Sequence, residues 1–221
     1  ALPILIKDKN EQTSAQVVAM SEEIFHLNAD KLNKQIDNLA ASTYVRNYLY
    51  YPKDAAIRRA FSHNLHANDL LVERKGLQLY DAAGKLLYEE GTLFSADLKA
   101  YKKEIQAQKQ GGFWLYDPDT HLIMLTREIR NLYDQPLGYV FCSFEKDFFN
   151  ESLAQFTQPG NIMLVADAKG QVLFGSNSER IHEAVDVKAS AITVNKQSYY
   201  VTSKKIEGTP WYAVYLCDED Y

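Results

Sequence analysis

The sequence predicts an α+β fold in which a long N-terminal helix precedes two antiparallel-sheet units arranged in tandem. Apolar residues follow a helical spacing through the first fifty positions. Two hairpins share one turn pattern, Asp81 to Gly84 and Asp167 to Gly170, at an offset of 86 residues. A closing strand also repeats, with Pro136 and Pro210 related by an offset of 74. Repetition of both features predicts a duplicated unit.

The amino-acid composition limits the functions that the chain can have. The chain of 221 residues is 46% hydrophobic and 24% charged, which is typical of a globular protein with a buried core. Its net charge is −5 and Lys and Arg form no cluster, so we expect no nucleic-acid partner. No apolar run approaches the ~18 residues of a membrane span, and we expect the segment as given to be soluble. Cys142 and Cys217 lie in apolar runs and are expected to be small core residues, which leaves the compartment open.

The first predicted helix covers residues 13–48. Its apolar positions recur every three to five residues, and the segment has no internal Gly or Pro. A helix of ~35 residues is ~50 Å long, so it spans two units or links one unit to something outside. Pro52 ends it, and a second helix is expected over residues 55–70. The apolar stripe consists of Val17, Met20, Ile24, Leu27, Leu32, Ile36 and Leu39.

The middle of the chain predicts one complete unit. A hairpin over residues 77–88 turns at Asp81 to Gly84, where Gly84 accommodates a positive φ. A helix over residues 95–110 ends at Gly111 and Gly112. Strands over 113–116, 121–129 and 137–144, separated by turns, indicate an antiparallel meander. This order of elements is that of a PAS-like α+β unit.

The last part of the chain repeats this plan in shorter form. A helical stretch over residues 145–156 leads to Pro159 and Gly160, which mark a domain boundary. A second hairpin over residues 162–176 follows, then a closing strand after Pro210. Chance similarity of two hairpins is the alternative, and the repeated closing strand argues against it. We therefore predict three segments: 1–54, the long helix; 55–158, the first unit; and 159–221, a smaller second unit.

The chain resembles the double Cache (tandem PAS-like) extracellular sensor domains of bacterial transmembrane receptors, particularly sensor histidine kinases. The resemblance rests on LYDAAGKLLY in the first hairpin, on FWLYDP, LIMLTREIRN and QPLGYVFCSFEKDFF in the meander, and on TPWYAVYL near the C-terminus. It implies an excised extracellular or periplasmic ectodomain, with membrane helices beyond both ends and a cytoplasmic signalling module. The unit of residues 55–158 would be membrane-distal and the unit of residues 159–221 membrane-proximal. A homodimer in the intact receptor is implied as well.

No residue pattern predicts catalysis in this segment. The five histidines are scattered, and only His63 and His66 have a helical i, i+3 spacing, which is more typical of a solvated helix face than of a metal site. Phosphate-binding and nucleophile motifs are absent from the sequence. We expect no catalytic residue, no metal and no cofactor in the fragment, and expect any kinase activity to belong to the parent protein.

A ligand pocket is the more plausible site. Aromatic side chains gather on the predicted meander, which forms one wall of the cavity in PAS-like units, and pockets combine such walls with a few polar groups. Arg127 offers a fork of donors for an anionic group, and Asp117 or Asp134 offers a carboxylate for a cationic one. The alternative is that these are ordinary core aromatics and surface charges. The predicted ligand-binding residues are Trp114, Tyr116, Asp117, Arg127, Tyr133 and Tyr139.

Three functions remain open from the sequence. The first is a sensor histidine kinase ectodomain that binds a small polar molecule in the distal unit, with an anion as one option for that molecule. The second is the ectodomain of a chemoreceptor or nucleotide cyclase with the same architecture. The third is a ligand-free structural or interaction module, which a cavity filled by its own side chains would favour.

Overall fold

The fold is described from a computed structural model, over residues 2–68, 70–92, 98–155, 158–176 and 178–220. The described residues contain five α-helices and ten β-strands, and the strands form two sheets. The helices are α1 (Leu2–Ala40), α2 (Thr43–Tyr50), α3 (Ala55–Ala67), α4 (Leu98–Ala107) and α5 (Asp147–Ala154). The strands are β1 (Gly76–Asp81), β2 (Leu86–Gly91), β3 (Phe113–Asp117), β4 (Leu122–Arg130), β5 (Pro136–Glu145), β6 (Ile162–Ala166), β7 (Val172–Ser176), β8 (Ala191–Val194), β9 (Gln197–Lys205) and β10 (Tyr212–Asp218).

The two sheets have the same strand order. The first is β2-β1-β5-β4-β3 and the second is β7-β6-β10-β9-β8, and every pairing is antiparallel. Even the irregularities agree, because the first hairpin shifts register after Leu79 and the second after Val165, again 86 residues apart. This identity of topology confirms the predicted α+β fold with two tandem sheet units.

The N-terminal helical region differs from the prediction in one respect. The single helix expected over residues 13–48 is two helices, because the backbone at Ser42 is extended (φ −71°, ψ 135°). The Ser42 hydroxyl donates to the Asn38 carbonyl at 2.7 Å, which occupies one of the carbonyls left open at the end of α1. The second predicted helix is present as α3, and Asp54 caps it by accepting from the backbone amides of Ala56 and Ile57.

The later helices are shorter than predicted. The helix expected over residues 95–110 is α4, and its predicted first residues, 95–97, lie outside the described residues. The stretch expected over 145–156 is α5, and position 156 also lies outside them. None of the described helices has an apolar stretch long enough to cross a membrane.

The chain divides into two compact units. Residues 30–145 form one, which we call the central unit, and residues 1–29 with 146–221 form the other, the terminal unit. This division differs from the predicted boundaries after residues 54 and 158, because α1 contributes side chains to both units. Phe25 stacks on Phe149 of α5 in the terminal unit, with ring centroids 4.6 Å apart. Asp37 accepts from the Gly111 amide in the central unit at 2.8 Å.

Each unit buries both faces of its sheet. In the central unit, one face packs against α4 through Ile105, Leu115, Met124, Tyr139 and Phe141. In the terminal unit, one face holds an aliphatic cluster and the other packs against the Phe25 ring, which is joined by Phe174 and Trp211. Accordingly, β4, β5 and β6 are buried along almost their whole length.

Candidate functional site

The six predicted ligand-binding residues lie on two faces of the central sheet and in one turn. Strand alternation places Trp114, Tyr116 and Arg127 on the face away from α4. Trp114 is buried there, whereas its neighbours Phe113 and Leu115 point toward α4. The Tyr116 hydroxyl lies 2.8 Å from His121 Nδ1, at the far end of β3. The structure therefore does not gather these residues into one pocket, and their contact with a ligand stays a prediction.

Asp117 and Tyr133 have local structural roles. The Asp117 carboxylate accepts from the Asp119 amide at 3.0 Å and from the Thr120 hydroxyl at 2.7 Å, which shapes the turn after β3. Tyr133 is 86% exposed in the turn between β4 and β5. Its backbone amide donates to Asn131 Oδ1.

A polar cleft lies along the open edge of β4, and we call it the β4 cleft. Pairing with β3 ends at Thr126, so that edge of β4 is open from Arg127 onward. The cleft has a volume of about 210 Å³, small enough to select a small solute. Its lining comes from the end of α1, α2, the segment after α4, β4 and the turn that follows: Asp37, Ala40, Ala41, Arg46, Gln108, Lys109, Arg127, Glu128, Arg130, Asn131 and Asp134.

Arg127 holds one wall of the β4 cleft in place. Its Nη1 donates to the carbonyls of Gln108 and Gly111 at 2.8 and 3.0 Å, and Nη2 donates to the Lys109 carbonyl at 3.0 Å. The Asp37 carboxylate lies 3.8 Å from Arg127 Nη2 and accepts from the Gly111 amide. Arg127 thus lines the cleft, but its donors fasten the segment between α4 and β3, and its contact with a ligand stays a prediction.

Glu128 is the most unusual group in the β4 cleft. Its side chain is 2% exposed, and Oε1 pairs with Arg130 Nε at 2.5 Å. The Tyr139 phenol, opposite Glu128 in the sheet, forms a hydrogen bond with this carboxylate. Buried carboxylates normally have such donors, since leaving an oxygen unsatisfied costs on the order of 1–3 kcal/mol. A carboxylate accepts several hydrogen bonds, so a solute at the cleft could donate a further one.

Tyr139 joins this site from the neighbouring strand. It is directly opposite Glu128 in the sheet register, and its hydroxyl accepts from Gln106 Nε2 at 3.1 Å. Burial raises the pKa of the Tyr139 phenol, and the Glu128 charge acts in the same direction. Tyr139 therefore remains a neutral phenol, a hydrogen-bonding group of the α4 side of the sheet.

The charges of the β4 cleft are mixed. Four cations face three carboxylates, so a molecule with both a positive and a negative group fits better than a simple ion. Within the part of the chain that the structure describes, no cluster of His, Cys, Asp or Glu could hold a metal ion. The cations are Arg46, Lys109, Arg127 and Arg130, and the carboxylates are Asp37, Glu128 and Asp134.

The sequence-based prediction missed Glu128 and Gln106. Glu128 sits two residues before Arg130 in TREIR, an alternation that places both on the Tyr139 face. A charged residue at an inward position of an apolar strand was the available signal. Gln106 had none, since its role depends on how α4 lies on the sheet.

Comparisons with known proteins find matches by structure and not by sequence. No protein-family model matches the chain, and no curated protein sequence matches it significantly. The ligand-binding domain of Pseudomonas fluorescens chemoreceptor CtaA, solved with L-isoleucine, superposes with a TM-score of 0.71 at 13% identity, covering 100% of this chain and 97% of that one. The sensor domain of V. cholerae histidine kinase DctB gives 0.67 at 10% identity, covering 99% of both chains.

A third match is similar in kind. The sensory domain of Campylobacter jejuni chemoreceptor Tlp3, with isoleucine bound, gives a TM-score of 0.59 at 12% identity, covering 98% of this chain and 96% of that one. The chain thus has the fold of bacterial receptor sensor domains. The tandem sheets and the long N-terminal helix have the predicted double Cache-like fold.

Proposed function

We propose that this chain is the ligand-sensing portion of a membrane-anchored bacterial receptor, and that its central unit binds a small polar molecule in the β4 cleft. The observation that carries the proposal is the buried Glu128 carboxylate, which is 2% exposed and lines the β4 cleft among four cations. A solute with an N–H or O–H group donates to this carboxylate, and the surrounding cations hold its anionic group. The amino acids bound to CtaA and Tlp3 belong to this chemical class.

Calorimetry against a library of amino acids, amines and small organic acids tests this proposal. We expect one solute class to bind, and Glu128→Gln to weaken it at least about tenfold, or ~1.4 kcal/mol. Glu104→Gln, at an exposed position of α4, is the matched control and should leave the affinity unchanged. Equal affinity in the Glu128 variant would refute the site. A library without a single ligand would favour the ligand-free module, to which the tightly packed α4 side of the sheet also points.

We infer a sensor histidine kinase as the parent protein, located with its sensor outside the cytoplasmic membrane and dimeric when intact. Similarity to DctB supports a kinase, and similarity to CtaA and Tlp3 supports a chemoreceptor as the second candidate. Exposed Met20 and Leu27 on α1 offer an apolar surface for pairing with a second copy. The coding sequence after Tyr221 distinguishes the candidates, because a kinase domain or a methyl-accepting domain is recognisable at once.

A further inference from the structure

A second cavity in the central unit shares no lining residue with the β4 cleft. It has a volume of about 520 Å³, which lies in the range of small-molecule sites. The end of α3, the segment before β1 and the end of β2 enclose it, and we call it the α3 cavity. Its lining combines apolar Leu65 and Val72 with charged His66, Arg74, Lys75 and Glu90.

The one carboxylate of the described lining is already neutralised. Glu90 Oε1 accepts from Arg74 Nε at 2.7 Å, and Oε2 accepts from the Tyr88 hydroxyl at 2.9 Å. Burial alone would raise the pKa of Glu90, but the Arg74 and Tyr88 hydrogen bonds outweigh it and lower that pKa. Arg74 is 10% exposed, and its Nη1 donates to the carbonyls of Leu70 and Leu71. Glu90 and Arg74 therefore form a compensated pair in the wall.

Lys75 adds a positive charge to the lining that the Arg74–Glu90 pair does not neutralise. Its backbone is fixed on both sides, because its amide donates to the Ser143 carbonyl at 2.7 Å and its carbonyl accepts from the Thr92 amide at 2.9 Å. Its Nζ lies 3.7 Å from Glu145 Oε1, and both side chains are about half exposed, so this ion pair is weak. An anion in the cavity would be a stronger partner for Lys75.

His66 lies at the mouth of the cavity. Its Nδ1 lies 2.7 Å from the Ser62 carbonyl oxygen, and its Nε2 lies 2.9 Å from Glu90 Oε2. The ring therefore links α3 to Glu90, the carboxylate that Arg74 already neutralises. The charged groups that face the ring are Glu90 directly, and Arg74 and Lys75 across the cavity.

We propose that the α3 cavity is a binding site for a small anion with a carboxylate or tetrahedral oxyanion group, held by Lys75. Three basic side chains line the cavity against one carboxylate, which Arg74 already neutralises, and this balance favours an anion over a cation. Leu65 and Val72 contact the carbon skeleton of an organic anion.

Calorimetry at low ionic strength with sulfate and with lactate tests the site. Both anions are fully charged at pH about 7, and low ionic strength limits the screening of Lys75. We expect both to bind, and at least about tenfold weaker binding in Lys75→Gln.

Two further variants keep the outcome interpretable. Val72→Glu places a like charge on an exposed side chain of the rim and should abolish binding without a buried change. Lys85→Gln, at an exposed lysine in the β1–β2 turn, is the matched control and should bind as the original chain does. Absence of binding, or full affinity in both the Lys75 and Val72 variants, would overturn the proposal. Glu128→Gln should leave this affinity unchanged, which separates the two sites.

Discussion

Arg127 shows that the sequence can single out a residue without revealing which groups its side chain contacts. An arginine beside aromatic residues is typical of anion binding, yet its donors here meet three backbone carbonyls. The decisive fact is the path of the segment after α4, which passes over β4 with Gly111 at φ +69°. Nothing in the local sequence around Arg127 specifies that path.

We expect Arg127→Ala to destabilise the chain by about 2–4 kcal/mol. Hydrogen bonds to a charged donor each contribute about 1.5–3 kcal/mol, and the loss of several leaves the three carbonyls without their donor. Urea unfolding monitored by circular dichroism measures the change. Arg58→Ala, an exposed position in α3, is the control and should stay within about 0.5 kcal/mol. Similar losses for the two variants would mean that the Arg127 contacts contribute little.

The two hairpin turns are the elements that reveal the duplication most clearly. In the first, the Gly84 amide donates to the Asp81 carbonyl, and the Lys85 amide donates to Asp81 Oδ1. In the second, Gly170 and Gln171 donate to Asp167 in the same way. One sequence pattern thus produced one geometry twice, which is why the turns were predictable from the chain alone.

The same turns differ in what surrounds the glycine. Both glycines have positive φ, +88° at Gly84 and +85° at Gly170. A Cβ at Gly84 would meet Leu98 Cδ2 at 3.6 Å, an ordinary contact, whereas a Cβ at Gly170 would lie 2.1 Å from the Val185 carbonyl oxygen. Val185 also donates its amide to the Gly170 carbonyl, so the two segments cannot separate freely.

We therefore expect a Gly→Ala substitution to destabilise the chain more at position 170 than at position 84. Gly84→Ala should cost about 1–2 kcal/mol, the strain of a left-handed backbone alone. Gly170→Ala adds a backbone clash and should cost about 3 kcal/mol or more. Thermal and urea unfolding of both variants measure the difference. Equal costs would show that the 170 turn can move away from residue 185.

At the scale of the whole molecule, the sequence predicted the architecture because the spacing of apolar residues and the residues of the turns are local features of the chain. The meander over β3, β4 and β5 and the hairpins follow from alternation and from Gly and Asp positions. The break at Ser42 and the assignment of α1 to two units depend on packing partners far along the chain, such as Gly111 and Phe149. Such contacts leave no periodic signal.

The candidate site was less predictable than the fold for the same reason. Tyr139 and Glu128 face each other across two strands, and Gln106 reaches Tyr139 from a helix 33 residues earlier. Register decides which of two faces a side chain occupies, and a shift of one residue reverses the answer. Aromatic content pointed to β3, β4 and β5, while the face that each side chain occupies could be assigned only once the sheet was known.

The stability of the whole chain should fall in alkaline solution. Burial raises the pKa of the Cys142 thiol to about 12, above its ordinary value of about 8.5, and burial also raises the pKa of Tyr88 to about 12. A folded-state pKa above the unfolded one means that the unfolded chain loses its proton first. The stabilisation is complete below pH about 8.5 and is lost progressively as pH rises towards about 12.

Urea unfolding at a series of pH values from about 8 to about 10.5 measures this loss. We expect the free energy of unfolding to fall by about 1 kcal/mol per pH unit above pH about 9 through Cys142 alone. Cys142→Ala removes the titrating group and should flatten that slope, although its lost packing lowers stability at every pH. Cys217→Ala is the comparison, since that thiol is only half-buried and should change the slope less. If both variants keep the original slope, thiol burial does not set the alkaline limit, and Tyr88 becomes the group to replace next.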